Sequence, residues 1–178
     1  MIKAVVILGG ILAVALAGVL ILAATKPDVF RVVRAATIKA PPEKIFPYIN
    51  EFDRWSGWSP YEKKDPAMKR VRSGPAGGKG AIYAWEGNKE VGAGRMEITD
   101  ASSPTRVALN LDFTAPFEAH NLVEFTLEGK GDSTSVTWAM RGPVPYVAKI
   151  VHVIFDMDKM VGADFEAGLA NLKALAEK

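Results

Sequence analysis

The chain begins with a long apolar run and continues with segments in which apolar and polar residues alternate. No charged residue occurs in residues 4–25, and Lys3 and Lys26 flank this run. A helix of about 20 apolar residues spans the hydrocarbon core of a bilayer. Residues 1–26 are therefore predicted to be a single-pass membrane anchor and residues 27–178 a separate folded domain. A cleaved signal peptide is the alternative, but the run exceeds the usual apolar core of about 7 to 15 residues.

Alternating segments with Gly, Pro, Asp or Ser between them predict an antiparallel meander. Its seven strands are expected at residues 30–40, 68–73, 80–87, 91–99, 105–114, 118–129 and 133–142. A short helix is predicted over residues 43–50 and a helical turn over 52–55. From residue 146 to 177 the apolar period becomes helical, so a long helix is predicted to cover the sheet. Its apolar stripe includes Val147, Val151, Val161 and Phe165.

Strand parity selects the side chains that face the interior, because successive residues in a strand point to opposite faces. A space between sheet and helix must be filled by side chains or by a ligand. For each apolar residue, ordinary core packing is the alternative to ligand contact. The predicted lining consists of Tyr83, Trp85, Met96, Leu109, Leu111, Asn121, Val123, Phe125, Trp138, Met140, Asp158, Val161 and Phe165.

Two polar residues interrupt this inward set. Asn121 has inward parity, so it either contacts a ligand or water in a cavity or lies near a strand end in solvent; we favour the second. Asp158 falls on the apolar stripe of the terminal helix, where a buried carboxylate is costly unless it is paired. It either anchors a ligand or caps a second helical segment after a break near residues 156–158, and we favour the cap. As a weaker alternative, Asp158 with Tyr83 or Asn121 could serve as an acid–base pair.

Composition narrows the functional classes. Of 22 basic residues, the segment 1–26 contains two and no acidic residue, so 20 basic residues face 20 acidic ones in the domain. A neutral domain has no general attraction for nucleic acid. The absence of cysteine and the presence of only two histidines, His120 and His152, argue against a metal centre, and no cofactor is expected. Both histidines are predicted to lie on the surface.

Orientation and partners follow less directly. Lys26, Arg31, Arg34, Lys39 and Lys44 follow the apolar run, whereas only Lys3 precedes it, which favours a cytoplasmic domain, with the opposite orientation left open. Trp55 and Trp58 either form part of a cavity entrance or pin the short helices to the sheet; we favour the second. The oligomeric state is not predicted.

Several local sequences resemble a known family. They are residues 40–46 (APPEKIF), 55–60 (WSGWSP), 83–87 (YAWEG), 134–138 (TSVTW) and 162–173 (GADFEAGLANLK). With the order of elements, they resemble the START-like (SRPBCC) superfamily and its bacterial polyketide cyclase/dehydrase-like subgroup. The resemblance implies an α+β helix-grip fold, in which a curved seven-stranded antiparallel sheet surrounds the C-terminal helix and leaves a cavity for apolar small molecules or lipids.

These observations lead to one principal hypothesis and two alternatives. The first is a membrane-anchored, non-enzymatic domain that binds or transports a hydrophobic small molecule or lipid. The second is an enzyme of the polyketide cyclase or dehydratase type that uses Asp158 with Tyr83 or Asn121. The third is a tethered protein-interaction module, which requires an exposed apolar patch around Trp55 and Trp58.

Overall fold

The chain opens with a helix whose side chains are mostly exposed. The computed structural model describes residues 2–154 and 156–178, except for the side chains of residues 2–6, 152 and 154. Helix α1 is Ile2–Thr25, and its segment Ile7–Thr25 has a mean hydropathy of 2.7 with 6% of it buried. It is long and apolar enough to cross a membrane, a criterion that a signal sequence also meets. The side chain of His152, predicted to be exposed, lies outside the described residues.

Three short helical segments follow the first strand. They are α2 (Pro42–Asn50), a 3-10 helix (Phe52–Gly57) and α3 (Pro60–Lys64), the last of which was not predicted. The indole N–H of Trp55 donates to the Ile49 carbonyl at 2.9 Å, and that of Trp58 donates to the Tyr48 carbonyl at 2.8 Å. Both tryptophans are buried. They pin the short helices to the sheet, so the exposed patch that the interaction-module hypothesis requires is not present at these two residues.

A single antiparallel sheet forms the body of the domain. Its strands are β1 (Val29–Ile38), β2 (Lys69–Ser73), β3 (Ile82–Glu86), β4 (Ala93–Ser102), β5 (Arg106–Ala115), β6 (Ala119–Lys130) and β7 (Ser133–Pro143). Their order across the sheet is β1-β7-β6-β5-β4-β3-β2. Each predicted strand is present with bounds within three residues of those expected, because the alternation of burial that was read from the sequence continues along most strands.

The predicted terminal helix is divided into α4 (Tyr146–Ile154) and α5 (Met157–Ala176). The cap of α5 is Asp156, whose side chain accepts a hydrogen bond from the Lys159 amide at 3.1 Å. The predicted break is thus present, but the predicted cap is wrong by two residues. Asp158 lies in the first turn of α5 with its side chain 58% exposed, and its carboxylate binds the Arg34 guanidinium at 3.0 Å.

Helix α4 links α1 to the domain. The Tyr146 hydroxyl donates a hydrogen bond to the Leu20 carbonyl at 2.9 Å, and Ala23 of α1 is completely buried. The buried Lys149 ammonium donates to the Asp28 carboxylate at 2.6 Å. This hydrogen bond lowers the pKa of Asp28. The last two turns of α1 are therefore held against α4, whereas the described side chains of the preceding turns are exposed.

Helix α5 lies on the concave face of the sheet and completes an aromatic core. The rings of Trp138 on β7 and Phe165 on α5 are stacked, with centroids 3.9 Å apart and planes at 8°. Gly168 permits this approach, since a Cβ at that position would lie 2.7 Å from the Trp138 ring. Phe125 on β6 and Trp58 extend the cluster beneath the stack. This core closes one end of the space between sheet and helix.

Candidate functional site

A cavity of about 980 Å³ lies between the concave face of the sheet and helices α4 and α5. This volume is at the upper end of the range of about 300 to 1,000 Å³ that is typical of ligand pockets. Aromatic, aliphatic and methionine side chains form most of its wall. Of the thirteen residues predicted to line it, eleven do: Tyr83, Trp85, Met96, Leu109, Leu111, Asn121, Val123, Trp138, Met140, Val161 and Phe165.

The other two predicted lining residues lie elsewhere. Phe125 has the inward parity that was predicted, but it lies one step further along β6, beneath the floor formed by Trp138, and is completely buried. Asp158 points away from the cavity toward Arg34, because the break before α5 changes the helical phase on which its inward position was predicted. The hydrogen bond from Arg34 lowers the pKa of Asp158. The predicted acid–base pair of Asp158 with Tyr83 or Asn121 is therefore not assembled.

Asn121 is the polar residue of β6 that faces the cavity. Its side chain is buried, which contradicts the solvated position that we favoured from the sequence. The neighbouring strand accommodates it through Gly142, where a Cβ would collide with the Asn121 side-chain oxygen. Among the described residues the amide has no hydrogen-bond partner, so its donors and acceptor are available to a ligand or to water in the cavity.

A buried carboxylate that sequence reasoning missed forms the polar part of the wall. Glu62 of α3, with its side chain 7% exposed, accepts a hydrogen bond from the Tyr83 hydroxyl at 2.6 Å and one from Arg70 Nε at 2.8 Å. Burial, together with this hydrogen bond to Glu62, raises the pKa of Tyr83. Tyr83 therefore remains a hydrogen-bond donor at neutral pH. The local sequence gave no signal for Glu62, since α3 has five residues and no clear apolar period.

A second polar group lies where α3 meets α5. Lys64 binds Asp164 at 2.7 Å, and both residues contribute to the cavity wall beside Tyr61. Burial, with Asp164 close by, raises the pKa of Tyr61. These groups are paired with one another, and they give the cavity a limited polar border at the α3 side.

The cavity opens beside α4, where apolar side chains face outward. Phe117 in the turn between β5 and β6 is 82% exposed, and Val147 of α4 is 74% exposed. Val151 and Met160 are exposed at the same mouth. The prediction that Val147 and Val151 would cover the sheet is wrong for these two residues, because α4 is separated from α5 and leans toward α1.

The rim also contains an ionic pair. His120 is exposed, as predicted, and its Nδ1 lies 2.7 Å from the Asp112 carboxylate and its Nε2 lies 3.5 Å from that of Glu118. The hydrogen bond with Asp112 raises the pKa of His120. Within the part of the chain that the structure describes, no group of three or more His, Asp or Glu residues is arranged to hold a metal ion.

The comparisons with known proteins agree with this architecture. A family model described as polyketide cyclase/dehydrase and lipid transport matches residues 29–177. Among solved structures, the chain is similar to the Aha1 dimer from Colwellia psychrerythraea, with a TM-score of 0.59 and 19% identity over 83% of this chain and 96% of that one. It is also similar to major latex-like protein 151 from Panax ginseng, with a TM-score of 0.59 and 11% identity over 85% of this chain and 100% of that one. No curated protein sequence matches the chain. The predicted helix-grip fold is confirmed, and at these identities the structural likeness shows the fold alone.

Proposed function

Because this chain belongs to the polyketide cyclase/dehydrase and lipid transport family, we propose that it binds or transports a hydrophobic small molecule or lipid at a membrane. The observation that carries the proposal is the cavity of about 980 Å³, whose wall is mostly apolar. Removing apolar ligand surface from water is favourable by about 25 cal/mol per Å². An apolar cavity of this size therefore provides a driving force for binding that needs few polar contacts.

The polar residues of the wall would orient such a ligand. Asn121 offers an amide inside the cavity, and the Glu62–Tyr83 pair offers oxygen atoms that can accept a further hydrogen bond. An amphiphile with one polar group and a hydrocarbon portion fits this distribution better than a uniformly polar metabolite. The eleven lining residues predicted from the sequence are the proposed ligand contacts.

We further propose that residues 1–26 remain attached as the membrane anchor. The uncharged run has the length of a membrane-spanning helix, and its last two turns are packed against α4 through Ala23 and the Tyr146–Leu20 hydrogen bond. Removal by a signal peptidase would take away this packing. The intact mass of the purified membrane-bound protein tests attachment, since cleavage would lower it by the mass of the segment.

The binding proposal is tested by identifying what co-purifies with the full chain. The protein is extracted in a mild detergent, and the organic extract is analysed by mass spectrometry. We expect a hydrophobic compound at a constant ratio to protein. Absence of any such compound, together with failure to bind a fluorescent fatty-acid probe, would overturn the proposal.

A matched pair of variants locates the site. Leu111→Trp places a large ring in the cavity, whereas Leu122→Trp places the same ring on the outer face of the neighbouring strand. We expect the first variant to lose most of the bound compound and the second to retain it. Equal retention by both folded variants would show that the compound binds elsewhere.

A further inference from the structure

The attachment of α4 to α1 sets the height of the cavity mouth relative to a bilayer. Leu20, which accepts the hydrogen bond from Tyr146, lies five residues before the end of α1, or about 7.5 Å along the helix axis. Helices that lie in the membrane interface are buried about 5 to 10 Å below its surface. If α1 spans the bilayer and ends at the membrane surface, the beginning of α4 at Tyr146 lies at this depth, and Lys149, paired with Asp28, lies closer to the surface.

The residues around the mouth have the character that this position requires. Val147 and Val151 present apolar side chains on the α4 rim, and Phe117 does so on the rim formed by the turn between β5 and β6. Met160 of α5 is exposed at the same mouth. In water, such a cluster of exposed apolar side chains is unfavourable and marks a contact surface. The bilayer interior would cover it without any additional protein.

The sheet topology places both rims at the same end of the domain. β1 starts three residues after Lys26, and its first residue pairs with Pro143 at the end of β7. The adjacent strand β6 begins at this end, since its Leu122 pairs with Arg141. The turn between β5 and β6, which carries Phe117, is therefore on the side of the domain from which α1 emerges.

Charges next to this end fit the headgroup layer. Arg31 of β1 and Arg141 of β7 are directly paired across strands, and both are exposed. Among the described residues neither makes an ion pair, and a third basic residue, Lys26, directly follows the last residue of α1. Lysine and arginine next to a membrane are attracted to anionic lipid by about 1 kcal/mol each. The apolar rim thus corresponds to the acyl layer of a bilayer, and the neighbouring pair of arginines corresponds to its phosphate layer.

We infer that the mouth of the cavity is inserted into the membrane surface, with α4 as an interfacial helix and the bilayer as its partner. This inference rests on the proposed anchoring of α1. The cavity then opens toward the acyl chains, so that a lipid-like ligand exchanges with the bilayer without crossing water. The partner is the lipid surface itself, recognised by the apolar rim and by Arg31 and Arg141.

Because the chain has no cysteine, single cysteines report on depth without background. The full chain is reconstituted in vesicles of phosphatidylcholine with phosphatidylglycerol, and an environment-sensitive fluorophore is attached at Val147→Cys or Phe117→Cys. Asp132→Cys, in the turn between β6 and β7 at the opposite end of the sheet, is the control. We expect a blue shift and strong quenching by lipids brominated near the headgroup for the first two positions, and neither effect for the third.

Lack of a blue shift and of quenching at both Val147 and Phe117 would overturn the inference. This outcome is independent of the ligand, since the probe reports its depth whether or not the cavity is occupied. If the protein retains co-purified lipid but shows no quenching, the proposed binding function stands and the insertion of the cavity mouth into the membrane is refuted. If quenching is observed but no compound co-purifies, the insertion of the mouth stands and the binding function is refuted.

The consequence for exchange is tested with a second matched pair. Val147→Asp introduces a charge at the inserted rim, whereas Val71→Asp introduces it on β2, the strand furthest from β1 in the sheet. We expect Val147→Asp to slow transfer of a fluorescent fatty acid from vesicles several-fold relative to Val71→Asp. The affinity of both variants for the same probe in detergent is measured alongside, so that slower exchange is distinguished from weaker binding. Equal transfer rates for the two variants would contradict direct exchange with the bilayer.

Discussion

The floor and the mouth of the cavity are both apolar, but they differ in what surrounds their side chains. At the floor, Phe165 is stacked on Trp138 and is 1% exposed. At the mouth, Phe117 is exposed, and no aromatic ring in the part of the chain that the structure describes is paired with it. The same residue type thus contributes to folding at one end and is available for an external contact at the other. Burial, rather than hydrophobicity, separates the aromatic residues that hold the fold from those that we propose to contact a bilayer.

The largest expected effect comes from truncating an aromatic ring at the floor. Phe165→Ala removes the ring stacked on Trp138 and leaves a cavity in the core. Such substitutions cost about 3 to 5 kcal/mol of unfolding free energy. Denaturant unfolding of the full chain in detergent, followed by tryptophan fluorescence, measures the loss.

The same substitution at the mouth is the control. Phe117→Ala removes an exposed ring and is expected to change the unfolding free energy by less than about 0.5 kcal/mol. If both variants lost the same stability, the distinction between floor and mouth would be wrong. If Phe117→Ala, but not Phe165→Ala, lost membrane contact in the fluorescence experiment, the floor would be shown to serve folding and the mouth to serve membrane contact.

A smaller effect is expected from the buried carboxylate of the wall. Glu62→Gln keeps the shape of the side chain but removes the charge that Arg70 and Tyr83 bind. Loss of hydrogen bonds to a buried charged group costs about 1 to 3 kcal/mol. Unfolding in denaturant at neutral pH measures it, and ligand retention in the same variant shows whether the carboxylate also contributes to binding.

Glu86→Gln is the matched control for this charge. Glu86 and its partner Lys69 are both largely exposed, with their charged atoms 3.8 Å apart. Exposed pairs of this kind contribute about 0 to 1 kcal/mol. Destabilisation by Glu86→Gln as large as that by Glu62→Gln would show that burial does not determine the contribution of these carboxylates.

The sequence predicted which face of the sheet each side chain occupies better than it predicted how deep along the strand that side chain lies in the cavity. Parity placed Tyr83, Met96 and Leu111 correctly, because a strand has a fixed two-residue period. It could not place Phe125, since parity determines which side a residue faces and not whether it lies above or below the floor. The packing of α5 against Trp138 decides that depth, and it depends on distant residues such as Gly168.

The start of α5 and the partners of the charged residues were harder to predict from the sequence than the faces of the strands. The sequence predicted a break near residues 156–158 with Asp158 as the favoured cap, whereas the cap is Asp156 and the first turn of α5 directs Asp158 toward Arg34. Glu62 is a polar residue in a short helix, and only the folded arrangement brings it to Tyr83, 21 positions away. The contact between α4 and α1 likewise has no local signature, because it joins Tyr146 to Leu20, 126 positions away.

The smallest expected effect concerns the rim, where charges remain in water. Asp112 raises the pKa of His120 above its usual value of 6.5 in the folded chain. The native state therefore binds this proton more tightly than the unfolded state, and the resulting stabilisation is complete below pH 6.5 and is lost as the pH rises through the raised pKa. An NMR titration of the imidazole is expected to show a midpoint above 6.5, and the signal is assigned by its absence in His120→Gln. In Asp112→Asn the midpoint should return toward 6.5. Glu118→Gln should move the midpoint less, since Glu118 is the more distant carboxylate at 3.5 Å. A midpoint at or below 6.5 in the unaltered chain would mean that the pair between His120 and Asp112 does not form in solution.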